Sequence, residues 1–122
     1  NGVANLDDFE KKVIEFSELG TKFDLPVRTY SSGMRSRLSF ACCISIDFDV
    51  YLIDEATSVG DLQFRQKAKT ALLNKKNIAN IIMVSHDLSE LELFCDSAVI
   101  LHEGKLEFYD NLEHAIDIYK GL

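Results

Sequence analysis

The 122-residue chain has no long apolar run, no run of basic residues and no signal-peptide pattern. Its apolar stretches are far shorter than the roughly 20 residues of a membrane-spanning helix. The first residues, NGVANLDDFEKK, have neither a basic start nor an apolar centre. The net charge of −7 leaves no surplus of Lys and Arg to neutralise phosphates. We therefore expect a soluble chain that does not bind nucleic acid.

Cysteine is scarce as well, and the count of three is odd. Cys42 and Cys43 are adjacent in an apolar run, and Cys95 stands apart. This pattern favours reduced thiols in a cytosolic protein over a disulfide framework. A metal site would need a second pair of ligands at suitable spacing, which the sequence does not offer. We expect all three cysteines to be packed in the core.

Hydrophobic periodicity predicts helices in the first part of the chain. Apolar residues recur at helical spacing after Asn5, which can cap the helix, and Gly20 can end it. The only proline, Pro26, lies in a stretch that reads as an irregular link. A further helix begins near Met34 and is apolar on nearly all sides beyond Leu38. We therefore expect that helix to be buried on most sides.

The remainder alternates between short strands and helices. Residues 49–54 (DVYLID) and 80–85 (NIIMVS) read as buried strands, with a helix at about 61–74 between them. A strand, a helix and a strand in this order predict two parallel strands that are neighbours or nearly so, and their apolar runs predict that they are covered on both faces. After a short helix, the sequence predicts a hairpin that turns at Glu103-Gly104 and a last helix at about 111–120.

Polar residues follow both predicted strands. Asp54 and Glu55 come at the end of the first strand, and His86 lies just past the second. One interpretation is that the strand simply ends there with its acids in water. Alternatively, one acid orients a hydrated Mg²⁺ and the next positions an attacking water, since ligands collect at the carboxyl ends of parallel strands. His86 would stand at the same edge, where an imidazole can donate to a phosphate oxygen.

The segment YSSGMR precedes the apolar helix and has two interpretations. Ser31, Ser32 and Gly33 can simply cap that helix. They can also leave N–H groups at the positive end of the helix dipole for an anion, which glycine allows to approach closely. By themselves these three residues favour the cap. Their order and spacing relative to the polar strand ends favour the anion.

Taken together, these motifs resemble the second half of the ATP-binding domain of ABC transporters. Tyr30–Met34 occupies the place of the family's signature, and Val50–Asp54 resembles the Walker B strand. ATSVGD, ending at Asp61, resembles the D-loop, and His86 the switch histidine. The resemblance runs from about residue 28 to 110. YSSGMR and IDFDVYLIDE are most similar to the ATPases that export capsular and related cell-surface polysaccharides.

The resemblance implies an α/β chain with part of the P-loop NTPase fold of ABC ATPases. Residues 1–46 would be part of the helical subdomain with the signature. Residues 47–122 would be part of the RecA-like core and its closing hairpin. The sequence contains no phosphate-binding loop of the form Gly-x-x-x-x-Gly-Lys-Ser/Thr. We therefore expect a fragment that does not hydrolyse ATP alone and that self-associates or is marginally stable.

The resemblance also implies a site shared between two copies of the ATPase, which sandwich ATP head to tail. Glu55 and His86 would be catalytic for the nucleotide of their own subunit, and Asp54 would hold Mg²⁺ through water. The residues that would contact the ATP of the partner subunit are Tyr30, Ser31, Ser32, Gly33, Met34 and Asp61.

Four residues depart from the family's usual pattern. Ser32 replaces a glycine of the signature and Met34 its glutamine, which removes a side-chain donor. Ala56 stands where proline is common, and Gly60 replaces a larger residue of the D-loop.

The resemblance implies membrane-spanning permease subunits as partners and a peripheral position on the cytoplasmic face of the bacterial inner membrane. The full protein would power export of capsular or related polysaccharide. Two alternatives remain at this point. One is the ATPase head of an SMC-like DNA-maintenance protein, although the chain lacks the long heptad-patterned helices of that class. The other is an interaction module that keeps the fold without the chemistry.

Overall fold

The computed structural model describes residues 5–54 and 60–122. Their helices, in chain order, are α1 Leu6–Ser17, α2 Ser32–Ile44, α3 Leu62–Lys75, α4 Leu88–Phe94 and α5 Leu112–Lys120. The strands are β1 Val50–Asp54, β2 Asn80–Val84, β3 Ala98–His102 and β4 Lys105–Tyr109. Between α1 and α2 lie two short 3-10 helices, Gly20–Asp24 and Val27–Thr29.

These elements form two compact units. The helical unit contains α1, α2, α3 and the 3-10 helices, and the strand unit contains the four strands with α4 and α5. The boundary that the resemblance implies between residues 46 and 47 stays a prediction. None of the described helices has the length and apolar character needed to cross a bilayer.

The first helix follows from local sequence signals. Asn5 caps it, because its Oδ1 accepts hydrogen bonds from the N–H groups of Asp7 and Asp8 at 3.1 and 3.2 Å. The last helical residue is Ser17, and the next residue, Glu18, has a left-handed φ of 57° that ends the helix. The predicted cap at Asn5 is therefore confirmed, and the end lies slightly before the predicted Gly20.

Three phenylalanines form the core of the helical unit, one from each of its α-helices. The rings of Phe16 (α1) and Phe40 (α2) are stacked, with centroids 5.7 Å apart. Phe64 (α3) meets both rings edge to face, at 5.7 Å from Phe16 and 6.3 Å from Phe40. These are favourable geometries for aromatic pairs. We call these three side chains the aromatic cluster.

Lys67 fixes α3 to the end of α1. Its Nζ donates to the carbonyl oxygen of Phe16 at 3.0 Å and to that of Glu15 at 3.5 Å. The same ammonium lies 4.6 Å from the centroid of the Phe16 ring and 3.6 Å from the Glu18 carboxylate. Carbonyl groups in the last turn of a helix lack intrahelical donors, and the negative end of the dipole favours a cation there. Lys67 supplies both the hydrogen-bond donor and the positive charge at this end of α1.

The strand unit contains two separate pairs. β1 and β2 are parallel, with Val50 opposite Asn80 and Asp54 opposite Val84, so the predicted pairing of these strands is confirmed. β3 and β4 form the predicted antiparallel hairpin. The two residues of its turn, Glu103 and Gly104, have φ of 50° and 76°. Positive φ at both positions is what a type I′ hairpin turn requires.

The prediction that the parallel strands are covered on both faces is wrong. Tyr51 and Ile53 are buried, whereas the alternate residue Leu52 is 78% exposed. Side chains alternate between the two faces of a strand, so one face of this pair is covered and the other is open. The hairpin also has an open apolar face. The exposed apolar residues are Val50, Leu52, Ile82 and Val84 on the parallel pair, and Val99, Leu101, Leu106 and Phe108 on the hairpin.

The expectations for α2 and for the cysteines are also corrected. Only Phe40, Ala41 and Ile44 of α2 are buried, because the helix buries the stripe that faces its neighbours and not its whole circumference. Cys43 is exposed, and Cys42 and Cys95 are half-buried. Burial, with a smaller contribution from Cys43, raises the pKa of the Cys42 thiol.

We predict that the isolated 122-residue chain self-associates, because both open strand faces are apolar. Replacing Leu52 and Phe108 together by lysine should lower the average mass in light scattering, since each substitution charges one open face. Leu6→Lys is the control, because Leu6 is equally exposed but lies on α1. A monodisperse 13.8 kDa monomer with a cooperative melt would contradict the prediction.

Candidate functional site

The amino end of α2 has the geometry that its sequence predicts. Ser31 is extended and caps the helix, with its Oγ accepting from the N–H of Met34 at 3.2 Å. Ser32 and Gly33 form the exposed first turn. N–H groups of a first turn have no intrahelical acceptor and point out of the helix end. This end can therefore donate hydrogen bonds to an anion.

Gly33 is not required by the fold. A Cβ placed on Gly33 would meet only the Oγ of Ser31, at 4.0 Å, and the residue does not have a left-handed φ. The structure would therefore accept a side chain at this position. The absence of one leaves open space directly over the first turn.

Tyr30 is turned into the helical unit. Its side chain is 5% exposed, and its hydroxyl donates to the carbonyl oxygen of Phe23 at 2.8 Å. This bond fixes the 3-10 segment that precedes α2. A contact between Tyr30 and a nucleotide stays a prediction. Because the ring is buried, only the backbone of Tyr30 could make that contact. The sequence did not reveal the inward orientation of its ring.

Asp61 caps α3 in the same unit. Its Oδ1 accepts from the N–H of Phe64 at 2.8 Å, and Gly60 precedes it with φ of 77°. Besides the capped start of α1, the helical unit thus holds capped helix starts at the predicted signature and at the end of the predicted D-loop. Whether these residues contact a nucleotide stays a prediction.

The strand unit holds two further predicted residues. Asp54 is the last residue of β1 and pairs in register with Val84, two residues before His86. Asp54 and His86 are both exposed at the carboxyl ends of neighbouring parallel strands. The predicted common edge is therefore present. Glu55, the predicted catalytic carboxylate, lies outside the described residues.

A network of hydrogen bonds holds the loop that carries His86. The hydroxyl of Ser85 donates to Glu90 Oε2 at 2.9 Å and accepts from the N–H of Asp87 at 3.0 Å. Asp87 caps α4 by accepting from the N–H of Ser89 at 2.9 Å. The position of His86 is thus defined by fixed neighbours on both sides.

Asp54 offers one carboxylate at this edge that could hold a hydrated cation. No group of three or more His, Cys, Asp or Glu residues suited to a metal occurs in residues 5–54 and 60–122. Mg²⁺ commonly keeps several waters and binds to proteins through one or two carboxylates together with phosphates. An exposed Asp54 suits that mode of binding, in which a nucleotide supplies other oxygens.

A pocket of about 380 Å³ lies elsewhere in the helical unit, between α1, the end of α2 and α3. It contains none of the predicted site residues. Lys75 Nζ and Asp47 Oδ1 are 2.6 Å apart at its wall. This hydrogen bond, together with the charge of Lys75, lowers the pKa of the Asp47 carboxyl.

Sequence comparison finds close relatives over most of the chain. It is 49% identical over 121 residues to the polysialic acid transport ATP-binding protein KpsT of Escherichia coli, covering 96% of this chain and 55% of that protein. It is 45% identical over 105 residues to the ATP-binding protein BexA of Haemophilus influenzae, covering 86% and 48%. With the capsule polysaccharide export ATP-binding protein CtrD of Neisseria meningitidis serogroup B it shares 43% identity over 122 residues, covering 98% and 56%. The chain thus spans about half the length of these relatives. No family model matches it.

Solved structures show the same fold. An ATP-binding subunit of an ABC transporter superposes with a TM-score of 0.73 at 21% identity, covering 94% of this chain and 51% of that one. A chain in a complex of archaeal ribosomal stalk protein with the recycling factor aABCE1 gives 0.66 at 22% identity, covering 94% and 23%.

The fold is that of part of an ABC-type ATP-binding subunit, as the motifs predicted. Within that class, the chain is homologous over most of its length to the ATP-binding proteins of capsule polysaccharide export. The family resemblance stated from the sequence is therefore confirmed. These relatives favour the transporter interpretation over a DNA-maintenance ATPase head.

We predict that Lys75→Met raises the pKa of Asp47 toward its ordinary value, as measured by NMR titration of the side-chain carboxyl. A lowered folded pKa stabilises the fold above the unfolded pKa, and this stabilisation is lost as pH falls through the folded value. The destabilising effect of Lys75→Met should therefore be present at neutral pH and fade as Asp47 becomes protonated. Lys69→Met is the control; an unchanged Asp47 titration in Lys75→Met would refute the assignment.

Proposed function

We propose that the full-length protein containing this chain is the ATP-binding and ATP-hydrolysing subunit of an ABC exporter, and that it powers transport of capsular or related polysaccharide across the inner membrane. The observation that carries this proposal is the 49% identity, over 96% of the chain, with a polysialic acid transport ATP-binding protein. The positions of the predicted residues at two helix starts and one sheet edge support it.

The signature and D-loop residues act on the nucleotide of a second copy of the protein. Ser31, Ser32 and Gly33 present first-turn N–H groups and hydroxyls to phosphate oxygens, and the positive end of α2 favours their charge. Tyr30 and Met34 belong to the same signature segment and contact the same nucleotide. Asp61 contributes from the amino end of α3. The two copies therefore assemble head to tail.

The residues at the sheet edge act on the nucleotide of their own subunit. Asp54 would hold Mg²⁺ through water, and the ion would neutralise negative charge on the phosphates while the phosphoryl group is transferred to water. Glu55 orients the attacking water and accepts its proton, and His86 donates to a phosphate oxygen. Positioning and charge stabilisation supply most of the catalysis in such a reaction.

Membrane-spanning permease subunits are the further partners, and the ATPase is peripheral on the cytoplasmic face of the inner membrane. Closure of the two ATPase copies around ATP drives the permease between its inward-open and outward-open states. Hydrolysis resets it. The 122-residue chain contains no phosphate-binding loop, so by itself it should neither bind ATP tightly nor hydrolyse it.

We predict that Glu55→Gln in the full-length protein keeps ATP binding but lowers kcat by about 10² or more, because general-base catalysis is lost. The ATP-bound dimer should accumulate and be detectable by size-exclusion chromatography. Glu113→Gln on α5 is the matched control, since Glu113 is exposed and has no assigned role. Unchanged turnover in Glu55→Gln would remove Glu55 from this role.

We also predict that Gly33→Ala separates stability from activity. Because the fold has room for a Cβ, the melting temperature should stay the same or rise slightly. ATPase activity should nevertheless fall by about tenfold or more, since the methyl group holds phosphate away from the first turn. Ser36→Ala, exposed on the same helix, is the control. Full activity in Gly33→Ala would argue against phosphate contact at α2.

A further inference from the structure

The turn before α3 is fitted closely to one buried ring. Gly60 has φ of +77°, and a Cβ placed on it would lie 3.0 Å from both Cβ and Cδ1 of Phe64. Such a contact is tighter than nearly all real Cβ contacts, so an added Cβ would require Phe64 or the turn to shift by a few tenths of an ångström. The close approach of Gly60 to Phe64 depends on glycine at this position.

Phe64 is itself fixed from two directions. Its N–H donates to Asp61 Oδ1 at 2.8 Å, which closes the cap of α3. Its ring is 1% exposed and lies edge to face against Phe16 and Phe40. A residue held by backbone and side chain in this way has little freedom to adjust. Displacing it would disturb the aromatic cluster.

The aromatic cluster links this turn to the start of α2. Phe40 lies seven residues after Gly33, which is about two turns along the same helix. A helix of this length transmits the position of its packed residues to its end. The close approach of Gly60 to Phe64 and the contact of Phe64 with Phe40 therefore connect the Gly60-Asp61 turn to the helix whose first turn is exposed.

We propose that Gly60 and Phe64 are positioning residues that set the turn at Gly60-Asp61 relative to Ser31–Gly33, so that both segments meet the nucleotide-bearing partner copy together. This inference rests on the function proposed above. Neither residue needs to touch the nucleotide. Their role is to keep two contacting segments in register, where a shift of about 1 Å can weaken a reaction by about 10².

The test uses the full-length protein with Glu55→Gln as the parent, so that ATP-driven dimers accumulate. Gly60→Ala is compared with Gly20→Ala, because Gly20 also has a positive φ, of +58°, but has nothing within 4 Å of an added Cβ. Both substitutions impose the backbone strain of alanine in a left-handed conformation. Only Gly60→Ala also displaces Phe64.

Two quantities are measured for each variant. Stoichiometry and Kd of a fluorescent ATP analogue on dilute monomer report the folded fraction and binding to the subunit's own site. Sedimentation velocity with ATP reports dimerisation. We expect Gly60→Ala to keep full stoichiometry with Kd within twofold, and to weaken dimerisation by about tenfold or more. Gly20→Ala should match the parent in both.

A second variant tests the link from the side of α2. Phe40→Leu leaves Gly60 and the cap of α3 intact but removes the ring that contacts Phe64. It should also weaken dimerisation more than nucleotide binding. Phe9→Leu, on α1 outside the aromatic cluster, is the control. This variant keeps the proposal testable should Gly60→Ala fail to fold.

The outcomes are distinct. Dimerisation equal to the parent in both Gly60→Ala and Phe40→Leu overturns the inference and leaves the proposed function intact. A parallel loss of binding stoichiometry and dimerisation in Phe40→Leu shows a purely structural role and also overturns it. If the parent binds ATP but forms no dimer, the proposed head-to-tail function fails, and the inference fails with it.

Discussion

The helical unit depends on one interaction, the meeting of Phe16, Phe40 and Phe64. Each ring comes from a different helix, and successive rings lie 24 residues apart along the chain. Short helices have little stability of their own and need packing of an apolar face. The cluster gives α1, α2 and α3 a common core, and Lys67 adds a polar contact between α3 and the end of α1. These contacts set how the three helices are arranged within the unit.

The strand unit shows how far local pattern predicts structure. The apolar runs at 50–54 and 80–84, and the turn at Glu103-Gly104, are signals carried by neighbouring residues, so strands, pairing direction and hairpin follow from them. Coverage of a face is different. Leu52 is about as apolar as Ile53, yet Leu52 is exposed and Ile53 is buried. Which face of a strand is covered depends on where the other elements pack, and a run of apolar residues does not specify this.

The same distinction applies to the candidate site. The sequence predicted the capped start of α2, a helix start near Asp61, and the common edge of Asp54 and His86. It did not predict the inward turn of Tyr30 or the exposure of Cys43. The close approach of Gly60 to Phe64 was not predicted either, because the sequence does not show which residues a turn packs against. The apolar stripes that carry Phe16 on α1 and Phe64 on α3 were recognisable, but α2 was expected to be buried on most sides. A stripe also does not identify the helix that it packs against.

Capping by itself cannot separate structure from function in this molecule. Ser31 and Asp61 both satisfy N–H groups of their own helices, and a helix needs such residues whether or not a ligand binds. Gly60 has a structural reason as well, since it must approach Phe64. Gly33 is the exception, because neither its φ nor its neighbours require glycine, and glycine in a helix costs stability relative to alanine. A residue that costs stability and solves no packing problem calls for another reason, and the open approach to the first turn of α2 supplies one.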